Sequence, residues 1–400
     1  MVRTSPFHER TAALNETALW SHWSATLAAV KYQVSEKTEY TTVRNAAGLF
    51  DVSPLFKYRF SGPGAERFLA GVMARDPRTL KPGDAHYALW CDDRGRLVED
   101  GVLMRDGEQE FTLTSAEPNL DWFASLVGPR DQVTIEDISD DWAVLAFQGP
   151  RSRGLLKSMD SRTDRLAYFG HGPATIGGRQ VRVSRTGFTG DVGYEIWCRR
   201  EDALAVWDAV WAQTRGHGVH PFGLQALYML RIEAGLLLLG VDFQNARFAW
   251  TDADRATPFE LGLGWALKGL EADDRKLIGK RALLREQEEK TSRFRTVGIA
   301  VDYWDWNRLH EEAGLLPEMN HVPVQAEQYL YDEAGKQLGY ATSFMYSPVL
   351  QRHIGIARVP LDRAKPGSRV FLEIPINHRY VYVAAETTRL PHFNPSRKTA

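Results

Sequence analysis

The chain has 400 residues, enough for two or three domains with a substantial core. It is 44% hydrophobic and 25% charged, ordinary for a folded globular protein, and its formal net charge of -2 gives no basic field of the kind that nucleic-acid binding requires. The two cysteines, Cys91 and Cys198, cannot build a disulfide framework, and no Cys/His group has zinc spacing, so no metal is expected and both thiols read as core residues in a reducing compartment. No signal-like segment opens the chain and no stretch approaches the ~18 uninterrupted apolar residues of a membrane span. The expectation is a cytoplasmic enzyme or binding protein, with no nucleic-acid or membrane partner.

In chain order, Trp20, Trp23, Leu27 and Val30 fall at helix-like spacing and predict an amphipathic helix on the body. Gly62-Pro63-Gly64, followed by Ala65, Phe68, Leu69 and Val72, predicts a turn and a short helix. Tyr87–Trp90 and Leu97–Met104 read as hairpin strands around an Asp-Asp-Arg-Gly turn, with Phe111–Thr114 as a third. Glu99 and Asp100 are neighbouring carboxylates inside the second strand, a local inconsistency of the kind that marks sites. Alternation sends them to opposite faces, with Glu99 expected on the solvated one.

Trp142–Phe147 is a strand running into Gln148-Gly149-Pro150, where Gln148 either orients a ligand or closes the turn. In Arg185–Trp197, Gly187, Gly190 and Gly193 permit positive φ and close backbone approach before Tyr194–Cys198 extends. Glu195 and Trp197 then share one face, and Tyr194, Ile196 and Cys198 the other. Glu195 is either an exposed strand carboxylate paired with Arg182 or Arg185, or an acceptor for two parallel N–H bonds from a flat, amidine-like ligand edge. Glu201–Gly216 predicts a helix with Gly216 as its C-cap; Leu224–Leu239 predicts a second, broken by Gly235, in which Arg231 and Glu233 belong to an internal charge network. Charges thicken from Arg285 to Arg295, before a β-rich final domain that begins near Thr296. Tyr303–Arg308 and the acidic stretch behind it predict a long aromatic loop, either a lid or substrate wall or a self-packed surface loop.

Several separated blocks resemble the T-protein family of folate-dependent aminomethyltransferases and their demethylase relatives, in that family's order. They are Gly48-Leu49-Phe50-Asp51-Val52-Ser53, Gly95 to Asp100, Ala146 to Pro150, Arg185 to Ile196, Leu230 to Gly235, Thr257-Pro258, Ile278-Gly279-Lys280, and Thr342-Ser343 with Ser347-Pro348. The resemblance implies an α+β fold: a multi-lobed cloverleaf of mixed antiparallel sheets with packed helices, spanning 1–292 and with about 53–140 as one lobe, then a C-terminal β-barrel domain over 293–400. It implies tetrahydrofolate as cofactor, Asp100 as the catalytic group beside the reactive nitrogens, and Glu195, Asp100, Tyr168, Phe188, Gln148 and Trp265 as cofactor-binding residues. Without the resemblance, Tyr168, Phe169 and Trp265 read equally as core aromatics.

The sequence also departs from that pattern. Pro54 stands where the family commonly has His, Ala116 where it has Asn, Phe188 where it has Tyr and Leu227 where it has a folate-holding Arg, and the family's opening Gly-Trp and Pro-x-Tyr pattern is missing. These changes point to a demethylase passing a methyl group from a small O-, N- or S-methylated donor to tetrahydrofolate, with Trp304 and Trp306 as a cage for a methylammonium or a stack for an aromatic ether. Two alternatives stay open: the aminomethyltransferase of glycine cleavage, which needs a lipoylated carrier protein, and a non-catalytic folate-binding helper, whose expected Cys motif is replaced by Leu277-Ile278-Gly279-Lys280-Arg281.

Overall fold

The computed structural model describes residues 2–272 and 274–400. A six-stranded sheet runs in the order His171–Ile176, Arg179–Ser184, Gly193–Arg199, Trp142–Gln148, Ala47–Asp51, Val219–Pro221. A five-stranded sheet runs Ala85–Cys91, Leu97–Gly107, Glu110–Ser115, Phe56–Ser61, Thr134–Asp137. Six strands between Arg295 and Thr388 close into a barrel, in which Arg295–Val301 pairs with both Arg352–Val359 and Arg379–Thr388. Closure removes the exposed strand edges that an open sheet of this length would present.

Each sheet owes its place to one apolar face. Tyr194, Ile196 and Cys198 enter a core with Phe147, Val183 and Trp207, the last on the helix Ala203–Thr214. Trp90, Val98, Leu103 and Phe111 fill the core of the five-stranded sheet against Phe68 and Leu69 of the helix Ala65–Val72. The opposite faces of both sheets, carrying Trp197 and Leu89, meet in a central cluster with the helix Leu224–Glu233. Cys91 and Cys198 are free and buried.

The barrel is fastened to that helix by buried charge. Arg231 pairs with Asp242, which accepts the hydroxyls of Thr342 and Ser343 from the barrel. Glu233 accepts Arg44 through Nε at 3.0 Å and Nη2 at 2.6 Å, and takes the hydroxyls of Tyr40 and Ser347 on its other oxygen. Unpaired charges here would be strongly destabilising, so the hydroxyls that Thr342, Ser343 and Ser347 supply from the strand Gln337–Ser347 fix the barrel's position.

Four expectations need correction. The Trp20/Trp23 segment is a hairpin, Trp20–Trp23 against Thr26–Ala29, turned by Ser24 and Ala25 at φ 49° and 59°. Residues this ill-suited to a left-handed turn hid it, and four widely spaced apolar residues imitated a helical stripe. The helix over the 200s stops at Thr214, a 3-10 turn follows, and the left-handed glycine is Gly218 rather than Gly216. The next helix ends at Glu233 rather than reaching Leu239, because Gly235 turns left-handed beneath Leu390 and Pro391. Finally, Tyr303–Glu312 is a helix capped by Asp302, whose carboxylate accepts the N–H groups of Trp304 and Asp305.

Candidate active site

Where the faces of the sheets meet, a cavity of about 1590 Å³ is lined from both sheets, the N-terminal hairpin, the helix Leu224–Glu233 and the segment after the barrel. Glu195 and Asp100 both open onto it, as do Tyr168, Phe188, Gln148 and Trp265. Two acids far apart in sequence are thus brought to one hollow by two separate sheets.

Glu195 is half-buried in the strand Gly193–Arg199, opposite Ser184 on one neighbour and Ala146 on the other. It accepts the hydroxyls of Thr186 at 2.9 Å and Ser184 at 3.4 Å. Burial raises its pKa against these two hydroxyl donors. It is not paired with Arg182, which is bound to Asp106 and lies over Trp197, or with Arg185, which donates to main-chain carbonyls including that of Leu166. Among the described residues Glu195 forms no ion pair, leaving its charge free for a ligand.

The glycines before it act in two ways. Gly190 alone has positive φ, 73°, whereas Gly187 and Gly193 are small because a Cβ at either would lie 2.0 Å or 2.2 Å from Oε1 of Gln148. That side chain occupies the space: Nε2 donates to the carbonyls of Thr186 and Tyr194, and Oε1 accepts the hydroxyl of Thr189. Gln148 therefore braces the loop that leads into Glu195, with no side-chain bond across its own Gln148-Gly149-Pro150 turn among the described residues.

Asp100 pairs across the five-stranded sheet with Leu89, and its Oδ2 accepts the hydroxyl of Tyr87 at 2.6 Å. Burial pushes its pKa up from 3.8 to about 6, with the Tyr87 bond opposing. Glu99, expected in solvent, is fully buried on the other face. It accepts the backbone N–H groups of Ala116 and Glu117 and the amide of Asn119. The hairpin strand is covered on both faces, which alternation alone could not reveal.

The aromatic walls are unequal. Trp265 is 53% exposed and stacks on Tyr87 with ring centres 5.9 Å apart, and Tyr168, 39% exposed, meets Phe169 edge-on. Leu227 and Ala116 also line the cavity. Trp304 and Trp306 do not: Trp304 is 78% exposed on the outside, and Trp306 stacks on His353 at 3.8 Å beside a separate small hollow on the barrel. The aromatic cage expected there is overturned, because the helix turns both rings away from the acids. Sequence reasoning also missed Tyr87 as a site residue; it is the diagonal neighbour of Asp100 across the hairpin, visible only once the register is known.

Comparison with known proteins matches residues 7–269 to the model of the GCVT N-terminal domain and residues 313–394 to that of the glycine cleavage T-protein C-terminal barrel domain. An aminomethyltransferase of Halothermothrix orenii is 31% identical over 88% of this chain and 90% of its own, and one of Bacillus subtilis is 32% identical over 90% and 91%. A trimethylamine-oxide aldolase of Ruegeria pomeroyi is 30% identical over 99% of this chain, which spans 48% of that protein. The crystal structure of the glycine cleavage system aminomethyltransferase T from Bartonella henselae has the same fold, with a TM-score of 0.82 over 98% of this chain and 99% of that one, at 23% identity. Among the described residues no helix is long and apolar enough to cross a membrane.

Proposed function

This chain belongs to the glycine cleavage T-protein family, and from that premise we propose that it is a tetrahydrofolate-dependent demethylase, moving a methyl group from a small O-, N- or S-methylated compound to tetrahydrofolate. The observation that carries the reading is the single hollow shared by Glu195 and Asp100, two carboxylates without cationic partners among the described residues. Its size, about 1590 Å³, exceeds the ~300–1,000 Å³ of an ordinary small-molecule site and accommodates two substrates together. The apolar Leu227, Ala116 and Phe188 in its wall, at positions where polar residues were expected, suit a small donor better than a carrier-bound amine. The name of the Ruegeria relative gives a methylated nitrogen compound as that protein's substrate, which supports the same class here.

The residues present fit a reduced pterin. Glu195 accepts two N–H bonds from its amidine-like edge, with burial strengthening a charge-assisted contact. Trp265 and Tyr168 offer flat apolar surface on the cavity wall, and Gln148 fixes the loop behind Glu195. When bound, tetrahydrofolate supplies the nucleophilic nitrogen that receives the methyl group.

Asp100 does the proton work. As the donor's bond from carbon to its heteroatom breaks, Asp100 takes the proton shed by the attacking nitrogen and delivers it to the departing heteroatom. The donor leaves as its alcohol, amine or thiol, and no redox partner is needed. With a pKa near 6, Asp100 is ionised at neutral pH and close enough to it for transfer in both directions. Tyr87 keeps the carboxylate oriented through its hydroxyl.

The test is to incubate the protein with tetrahydrofolate and a panel of methylated donors, following 5-methyltetrahydrofolate by mass. Its formation with no carrier protein supports the demethylase. Turnover only with a lipoylated carrier assigns the chain to the aminomethyltransferase reaction, the reading that the names of the Halothermothrix and Bacillus relatives favour.

A further inference from the structure

Arg75 lies just beyond the helix Ala65–Val72 and lines the central cavity. It is partly buried and forms no hydrogen bond or ion pair among the described residues. Its guanidinium packs over the ring of Trp265, 5.7 Å from the centroid. The neighbouring acid, Asp76, is already engaged: Arg78 holds both of its oxygens at 2.9–3.1 Å, and Arg275 approaches it at 3.9 Å. A half-desolvated guanidinium with no acceptor is an unfavourable arrangement in the free protein and calls for an explanation.

Its place supplies one. Trp265 stacks on Tyr87, and Tyr87 donates to Asp100, so Arg75 stands on the same wall as Asp100, two aromatic rings away. The other cations on the lining are engaged or more exposed, Arg389 just after the barrel being exposed. Arg3 pairs with Asp140, Arg185 binds main-chain carbonyls, and Lys398 lies over Tyr168 at 6.0 Å. Arg75 is the partly buried planar fork, seated on Trp265 beside an apolar hollow, and it matches one carboxylate in charge and geometry.

We propose that Arg75 is the carboxylate-binding residue of this cavity, anchoring an anionic group of a ligand whose reacting atoms lie at Asp100. The proposal rests on the one-carbon-transfer reading for the identity of its ligands. Two sources can present the carboxylate: the methylated donor, or the glutamate of tetrahydrofolate.

Calorimetric binding without turnover separates them, using the full chain and its Arg75→Gln and Arg75→Lys variants. Tetrahydrofolate is compared with tetrahydropteroate, which lacks the glutamate. N,N-dimethylglycine is compared with its amide, and 3-methoxybenzoate with 3-methoxybenzamide. Arg75→Gln is expected to weaken the carboxylate member of at least one pair roughly ten- to hundredfold and to leave its neutral partner within about twofold. Arg75→Lys, which keeps the charge and loses the fork, should fall between. The affected pair names the source. Carboxylate binding that depends on Arg75, without any tetrahydrofolate binding, would refute the folate reading and leave this one standing. Equal affinity for charged and neutral members in the wild type, or an unchanged preference in both variants, overturns the proposal.

Discussion

Replacing Asp100 with Asn removes a charge while keeping a carbonyl oxygen able to accept the hydroxyl of Tyr87, so the local geometry should survive. Positioned proton transfer contributes roughly 10²–10⁴-fold to rate, so kcat for methyltetrahydrofolate formation should fall by that factor, while tetrahydrofolate affinity measured by calorimetry changes little. Burial places the carboxyl near 6, so the wild-type rate should fall about tenfold for each pH unit below that value, a limb that Asp100→Asn should lack. The stability effect has the opposite sign to that of an ion-paired acid. Because the folded value, about 6, lies above the ordinary 3.8, ionised Asp100 destabilises the fold above pH 6 and the penalty disappears as pH falls below 4. Asp100→Asn should therefore stabilise the protein at pH 7, by up to ~3 kcal/mol, seen as a higher urea midpoint at pH 7 than at pH 4 relative to wild type. A variant that turns over at the wild-type rate, or whose acid limb stays near pH 6, would refute both the role and the cause assigned to the shift.

Three further outcomes follow from the same geometry. Glu195→Ala should weaken tetrahydrofolate binding by ~1.5–3 kcal/mol, because a charged two-bond contact is lost; unchanged affinity in calorimetry would remove the pterin edge from this strand. Glu233→Ala removes the main carboxylate partner of the buried Arg44, which keeps Asp191 at 3.6 Å, and frees the hydroxyls of Tyr40 and Ser347, so it should cost about 1–3 kcal/mol in denaturant unfolding; no measurable loss would show that stability does not depend on this buried network. Trp304→Ala should leave donor turnover unaltered, since the ring lies outside the cavity, and a changed donor preference would restore the aromatic cage.

The alternation across Tyr194–Cys198 was legible because a strand's period of two depends only on backbone geometry, and the structure divides Tyr194, Ile196 and Cys198 from Glu195 and Trp197 as expected. The same rule misled at Glu99, where a second layer of protein covers the face assumed to meet water. It separates neighbours without saying what lies opposite each of them. The internal charge network was readable as two ionisable residues in an apolar helix, while its partners Arg44, Asp242, Ser343 and Ser347 lie far away in the chain and no local pattern ties them to it.

Local sequence settled what local physics controls: the strands of the Asp-Asp-Arg-Gly hairpin and of Tyr194–Cys198, the short helix after Gly62-Pro63-Gly64, and the acids that stand out against apolar surroundings. Tertiary structure alone decided that Asp100 and Glu195 meet over one hollow, that Tyr87 and Trp265 bridge Asp100 to Arg75, and that the aromatic helix at Tyr303–Glu312 faces away. The reason is range. A backbone period acts over a few residues, whereas the direction in which one sheet presents its side chains to another depends on packing across the whole chain.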